Sequence, residues 1–467
     1  SRKTGMALYA FHRDKEPFDA NGDGFSELAQ MKNTTFGTRL FHRFGHRSKL
    51  SADFFSFLEK RRGGDRFDYP LHEARIAEAV EHHILSGALT FDKFFREIDK
   101  LSVYLSAQKV DRDSYYGALQ SLADYGKTGD LTWNAGAQYK ANFDRSSAVM
   151  GIESVSGKLQ DKKLGYPDLG SAIINDDTIT SIPHTETRLI SNQQKTIYGT
   201  FVQYEYEFER LSVSGGARFD QYKIINLTDT NPDHEKHGMV LSPRFTLLYD
   251  ASNNLQFRAS YSKGYRAPQI FDEDLHIETS GSRRVIHENA DDLTQETSHS
   301  VMTSLDFTLQ KGATSARFLA ETFFTRLLDP FMNEIGEMDE NGNVIYTRIN
   351  AKNGATVKGL NFEMNFIPGP NMNIQSGFTF QTSQYDEVEE FNLRHFFRSP
   401  AQYGYFTINW NAGKKTGLSA TGNYTGKMLV PYFAPELDNP EAGKLNISDP
   451  FFDFGLKLYQ HQSLFYQ

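Results

Sequence analysis

Near the start of the chain, oxygen-bearing side chains recur at every second position: Asp19, Asn21 and Asp23, inside Asp19-Ala20-Asn21-Gly22-Asp23-Gly24-Phe25. Ligands spaced this way can converge on one hard cation, and Gly24 permits the sharp turn that brings them round. On the twelve-residue calcium-loop pattern, Phe25 takes the seventh position through its carbonyl and Glu27 takes the ninth. The twelfth position, where a bidentate glutamate closes the pattern, holds Gln30. Asp19, Asn21, Asp23, Phe25 and Glu27 are therefore a candidate Ca2+ site, with a solvated Asp/Asn/Gly turn as the alternative. A second concentration follows Arg266: Asp272, Glu273, Asp274, His276 and His287 lie within one long polar stretch. Imidazole and carboxylate ligate metals, and they are also ordinary residues of a wet loop. His82 and His83 would point to opposite faces of a strand, a poor chelate.

Catalysis finds no footing. Gly-x-Ser-x-Gly, His-Glu-x-x-His and the phosphate loop are absent, so the chain reads as a non-enzyme that requires no cofactor. With Cys 0, disulfide frameworks, thiolate zinc sites and thiol chemistry are excluded. The net charge of -9 speaks against nucleic acid as a partner.

What must position these residues is a set of strands. Leu131, Trp133, Ala135, Ala137, Tyr139, Ala141 and Phe143 fall on one face, and Thr132, Asn134, Gly136, Gln138, Lys140 and Asn142 on the other. Val202, Tyr204, Tyr206 and Phe208 likewise oppose Gln203, Glu205 and Glu207. Met372, Ile374, Phe378 and Phe380 oppose Asn373, Gln375, Thr379 and Gln381. Short turns are predicted at Gly45–Lys49, Arg96–Lys100, Asp144–Ser146, Glu209–Arg210, Ser252–Asn254, Lys311–Thr314, Gly369–Asn371 and Gly413–Lys415. Between them run long polar segments, such as Lys158–Lys195 and Asp272–Ser298. Short turns at one end and long loops at the other is the layout of an outer-membrane barrel.

Composition agrees. Mean hydropathy is -0.54, and no stretch approaches the roughly 20 apolar residues of a membrane helix. A transmembrane barrel escapes that test, because only alternate residues of each strand face lipid. Phe 38 and Tyr 23 supply aromatics in quantity. A soluble sandwich would have strands of about six residues, and a propeller would show a blade repeat. The expectation is an all-β transmembrane antiparallel barrel of roughly 18 strands over residues 1–467, without a domain seam.

The segment Tyr261-Ser262-Lys263-Gly264-Tyr265-Arg266-Ala267-Pro268 resembles the FRAP box of TonB-dependent outer-membrane receptors. Asn289-Ala290-Asp291-Asp292-Leu293-Thr294-Gln295-Glu296-Thr297-Ser298 is similar to the NPNL-KPE-S box of that family, with Ala290 and Gln295 in place of prolines. Asn353-Gly354 with Lys358-Gly359 and Glu363, and Arg398-Ser399-Pro400, resemble its downstream motifs. Lys60-Arg61-Arg62-Gly63-Gly64-Asp65 with His72-Glu73-Ala74 resembles its Bacteroidetes members.

The resemblance implies the barrel part of a 22-stranded receptor, with the plug and some strands outside this chain. It implies import of a scarce metal chelate across the outer membrane, a ferric siderophore or haem, driven by the TonB–ExbB–ExbD complex. His276 or His287 would then supply an axial haem ligand, beside Asp272, Asp274 and Arg266. Arg266 reads more as a strand-end contact than as a clamp on cargo, and Arg348 and Lys352 would line the lumen. Cobalamin uptake, helped by the Ca2+ loop, is an alternative, as is a passive porin. Membrane lipids are implied partners, and a surface lipoprotein is another.

Overall fold

The computed structural model describes residues 3–460 apart from 97, 119, 123, 176–177, 182, 186, 228–234, 269–283, 339–342, 352, 389, 414, 433–436 and 439–442. Eighteen strands form one sheet, from Thr4–Lys15 to Phe451–Gln460. Every neighbouring pair in it runs antiparallel. Each of the eight predicted turns falls between two successive wall strands, as where Asn142 hands over to Ser146 and Glu207 to Leu211. Among the described residues, Thr4–Lys15 and Phe451–Gln460 pair on one side only.

The period-two pattern sorts the faces. Leu131, Trp133, Met150, Ile152, Val202, Tyr204, Leu241, Phe257 and Phe362 are all exposed large apolar side chains on one face. Registers such as Trp133↔Ser156, Tyr204↔Ala148 and Phe362↔Phe378 keep that face continuous from strand to strand. Exposed aromatics and aliphatics at this density require hydrocarbon, not water, as their surroundings. The opposite face faces the lumen and carries pairs such as Arg39–Asp53, Lys100–Asp92, Arg218–Glu153 and Arg317–Asp306. Pairs on the first face, such as Lys60–Glu81, Lys109–Asp111 and Lys127–Asp113, lie towards the loop ends of the strands.

Strand length exceeds what a membrane needs. Ile76–Phe95, Asp99–Ala118 and Arg188–Glu207 carry 20 residues each. At about 3.3 Å per residue these reach far beyond a hydrocarbon band about 25 Å tall, even when tilted. Above the band the lipid-type face must be covered by something else. Tyr115 and Tyr125 share the alternation face of Leu131, yet Tyr115 is 1% exposed. Residues 65–75 cover it through Ala74 and Leu71, beside Ala77 of the next strand, and the Tyr115 hydroxyl donates to the Ser121 carbonyl at 2.7 Å. A 2.9 Å hydrogen bond joins His72 Nδ1 to the Tyr125 hydroxyl, and the His184 ring lies 4.9 Å from that of Tyr125.

The long loops carry structure that their polar composition does not announce. Arg284–Asn289 runs parallel to Asn343–Asn350, which pairs antiparallel with Phe331–Met338. Arg348 belongs to this loop sheet and not to a wall strand, which corrects its expected place on the lumen wall. A strand that pairs only within a long loop has the same extended, β-branched composition in sequence as a wall strand, here Val344, Ile345, Thr347 and Ile349. Lys352 lies outside the described residues.

Candidate functional site

At the mouth, both boxes are fastening points. Tyr265 and Ala267 settle on Tyr222, Ile224, Val240 and Ile197, and the Tyr222 and Tyr265 rings stack at 6.0 Å. Arg266 ends its strand opposite Glu296, and its guanidinium lies 5.8 Å from the Phe331 ring centre. The Glu296 carboxylate in turn accepts the Phe331 N–H at 2.9 Å. In the second box, the Ala290 N–H donates to the Arg348 carbonyl at 3.0 Å, and Leu293 is buried. Asn350 accepts from the Thr294 N–H at 2.8 Å and donates to the carbonyls of Thr294 and Asp329 at 3.2 and 2.7 Å. Residues 284–295 are thereby tied to 329–338 and 343–351 in one unit. His287 sits in its strand Arg284–Asn289, opposite Tyr346. His276, Asp272 and Asp274 lie outside the described residues.

The acidic loop folds round its own backbone. Asp19 accepts the N–H groups of Gly22 and Gly24 at 2.7 and 2.8 Å. The Gly24 N–H, with those of Gly22, Asn21 and Asp23, holds the Asp19 carboxyl below its usual range against a desolvation that works the other way. Asn21 accepts the Asp23 N–H at 2.9 Å, and Asp23 accepts that of Phe25 at 2.9 Å. Glu27 takes the Ala20 N–H at 2.6 Å. Gly22 and Gly24 have φ of 77° and 89°, the left-handed values this winding needs. One oxygen each of Asp19, Asp23 and Glu27 lies within 4.8 Å of the others. Gln30, at the twelfth position, instead opens a wall strand opposite Arg62.

A neighbouring loop holds this one in place. Ser26 N–H donates to the Gly64 carbonyl at 2.9 Å, and Gly64 N–H returns a 3.1 Å bond to the Ser26 hydroxyl. Gly64 has φ +111°, and a Cβ there would meet the Ile76 carbonyl at 2.0 Å, so no other residue fits. Asp65, 1% exposed, accepts Arg75 Nε at 2.8 Å and the Arg75 and Ile76 N–H groups at 2.8 and 3.2 Å. Burial works to raise its pKa, but those donors outweigh it and hold the carboxyl below the usual range. Arg75 also lies over the Phe25 ring at 4.8 Å. The end of the Lys60–Asp65 motif, with Arg75, is thus the frame that carries the acidic loop, whereas His72 and Ala74 pack against Tyr125 and Tyr115.

Inside the lumen, the sequence pointed only to Arg348, Lys352 and the wet faces in general. Register assembles a row across six strands: Asn33, Glu59, His82, Arg112, Thr128 and Asp161 stand side by side. Arg112 donates to Thr128 at 3.1 Å, and Thr128 donates to Asp161 at 2.5 Å. Closer to the turns, Arg218 bridges Glu153 at 2.9 Å and Asp220 at 2.8 Å, while Tyr104 and Asn134 each donate to Glu153 at 3.1 Å. The signal that could have found them is charge at wet positions of consecutive strands, but only register shows which charges meet. A separate wall pocket of about 430 Å³ is lined by Arg244, Thr246, Arg258, Ser260, Ser304 and Glu321.

A sheet of this size, apolar outside and charged inside, with loops fastened at one rim, defines an outer-membrane receptor barrel. Residues 9–456 match the family model described as TonB dependent receptor-like, beta-barrel, and the chain belongs to that family. Its members work in the bacterial outer membrane and couple transport to TonB. No curated protein sequence matches the chain. Among solved structures, it is similar to the FrpB iron transporter of Neisseria meningitidis, with TM-score 0.70 and 14% identity over 98% of this chain and 70% of that one. FpvA of P. aeruginosa, solved with a pyoverdine–iron complex, aligns with TM-score 0.71 and 14% identity over 98% of this chain and 62% of that one. The siderophore receptor PirA of Acinetobacter baumannii aligns with TM-score 0.68 and 14% identity over 98% and 69%. At these identities the likeness is one of fold.

Proposed function

We propose that the chain forms the wall and loops of a receptor, of Bacteroidetes type, that imports iron as a chelate, either a ferric siderophore or haem. The observation that carries this reading is the loop unit at the mouth. It ties Arg284–Asn289, with His287 in it, to the barrel rim through Glu296, Asn350 and Arg348. Binding loops on a rigid scaffold are where recognition resides, and the similar structures include an iron transporter and siderophore receptors. Imidazole from His287 or His276 supplies an axial ligand if haem is the cargo. TonB, with ExbB and ExbD, supplies the energy through a plug, and the proposal includes no catalytic step.

A second reading has its own observation. Three carboxylates of the acidic loop converge on a frame built by Asp65, Gly64 and Ser26, and their all-oxygen donor set suits Ca2+. A Ca2+-ordered loop beside the mouth favours cobalamin as the cargo.

Titration of the intact receptor with haem, ferric siderophores and cyanocobalamin, with and without Ca2+, separates the two. Tight haem binding that weakens in His287→Ala or His276→Ala supports iron and places the ligand. Cobalamin binding that needs Ca2+ and is lost in Asp23→Asn transfers the assignment to the second reading. Silence across the panel defeats both cargoes and directs attention to a missing lipoprotein partner.

A further inference from the structure

On Tyr125–Asn142 and Ser146–Lys163 the outward face changes character at one level. From Leu131 to Phe143 the outward positions of the first of these strands and its turn are all apolar. At about 3.3 Å per residue and a tilt of about 40° they rise about 30 Å, the height of the hydrocarbon layer. The positions above Leu131, towards the long loops, therefore stand among lipid headgroups.

Those positions are cationic. Lys158 stands opposite Leu131, Gln160 opposite Gly129, and Lys162 opposite Lys127. On the preceding strand Lys109, Asp111 and Asp113 hold the matching places. Lys109 meets Asp111 at 2.7 Å and Lys127 meets Asp113 at 3.4 Å, which engages both carboxylates. Among the described residues neither Lys158 nor Lys162 has an ion pair or a side-chain hydrogen bond. Four lysines against two carboxylates leave the patch with a surplus of positive charge. Lys127 and Lys162, directly opposite one another, repel unless an anion joins them. At Gly129, two residues from Lys127, no atom lies within 4 Å of where a Cβ would stand, so the face is dented there.

We propose that this dent is a headgroup site for an anionic, phosphate-bearing lipid of the outward-facing leaflet. Lysine binds phosphate as a point charge on a flexible stem, and each lysine near a membrane surface adds to the attraction of anionic lipid. Beside Leu131, the stem of Lys158 can stay in the apolar layer while its ammonium reaches the headgroups. Neither a plug nor a further wall strand reaches the site. The face is turned away from the lumen, and both strands already have a neighbour on each side. The site is a property of the wall and holds for any cargo.

Trp133, two residues below Leu131 on the same face, is a built-in reporter. The full receptor in dodecylmaltoside micelles at low salt is titrated with phosphatidylglycerol or phosphatidylcholine whose brominated chains quench tryptophan on contact. The quenching assigned to Trp133 is the part that disappears in Trp133→Phe. The anionic lipid should reach half-quenching at about a tenth of the concentration of the zwitterionic one. Lys158→Gln combined with Lys162→Gln should bring the two lipids to within about twofold of each other. Asp113→Asn, which frees Lys127, should widen the preference about twofold, a gain that misfolding does not produce. Equal quenching by both lipids in the parent, an unchanged preference in the double lysine variant, or a narrower one in Asp113→Asn overturns the proposal. Displacement of phosphatidylglycerol by an equal concentration of inorganic phosphate also overturns it, because the site would then serve free anions.

Discussion

Ile76–Phe95, Asp99–Ala118 and Arg188–Glu207 rise 20 residues, whereas Gln402–Trp410 and Thr416–Thr425 have 9 and 10, about the length that just spans a bilayer. The inner faces differ as much as the heights. On the tall side, Arg112, Thr128 and Asp161 are buried and bonded in a row, and Arg218 locks Glu153 to Asp220. On the low side, from Ala355–Gly369 to Thr416–Thr425, the inner positions are amides and hydroxyls such as Asn361, Asn365, Asn373, Gln375, Thr379 and Asn409. Glu363 is the one charged residue among them. Thr379 donates to Asn361 at 2.9 Å, but the side-chain oxygens of Asn365 and Asn373 are buried without a partner. The tall sector has paired its charges with one another and acts as scaffold, although buried side-chain oxygens of Asn33, Asn134, Ser154 and Asn192 there also lack a partner. The low sector is almost uncharged and presents neutral hydrogen-bonding groups to whatever occupies the lumen.

The largest effect is expected where the tall sector is unlocked. Arg218→Met strands Glu153 and the buried Asp220 without their cation, and breaking one side of such a pair costs about 3 kcal/mol. Urea unfolding of the receptor in lipid vesicles should show the loss as a lower midpoint. An unchanged midpoint would mean that the network is solvated and that the tall wall is no more locked than the low one.

Next in size is the frame under the acidic loop. Asp65→Asn removes the charge from a carboxylate that accepts three donors from Arg75 and Ile76, a loss of about 2 kcal/mol. Amide exchange at Arg75 and Ile76 should quicken about 30-fold, the same energy expressed as local opening. The pH dependence follows from the direction of the shift. A carboxyl held below its usual range stabilises the fold above the unfolded value and loses that contribution as pH falls through the lower, folded value. Asp386, whose carboxyl is lowered chiefly by its bonds to Arg326, obeys the same rule at another loop root. Both loops should therefore stay protected at pH 5 and open only below the ordinary aspartate range. Opening already at pH 6 would overturn the assignment of control to these two carboxyls.

How much of this was legible follows from period. Eight turns and the two faces of strands such as Leu131–Phe143 and Met372–Gln381 could be read directly, because alternation is a property of one strand at a time. The loop sheet could not, since Arg284–Asn289 and Asn343–Asn350 are short and pair with distant partners. Arg348 was misplaced for that reason. The calcium-type spacing was visible at Asp19–Glu27, but its frame was not: Ser26, Gly64 and Asp65 are ordinary residues until the turn at Gly64 brings them together. The lumen networks were hidden completely. Asn33, Glu59, His82, Arg112, Thr128 and Asp161 are one row only after five registers are set.

The smallest effect makes the sharpest test of the comparison. Asn365→Leu removes from the low wall a buried amide oxygen that has no partner, and replaces it with a side chain of similar size. Nothing bonded is broken, so stability should change by less than about 1 kcal/mol and could rise, because an unsatisfied buried acceptor is itself a cost. The same exchange in the tall wall, Asn134→Leu, deletes a 3.1 Å bond to Glu153 and should lower the urea midpoint measurably. If the low wall serves an occupant of the lumen, Asn365→Leu should leave folding intact while slowing uptake. If both variants lower stability equally and neither touches uptake, the two sectors are one structural wall, and the division drawn from their chemistry falls.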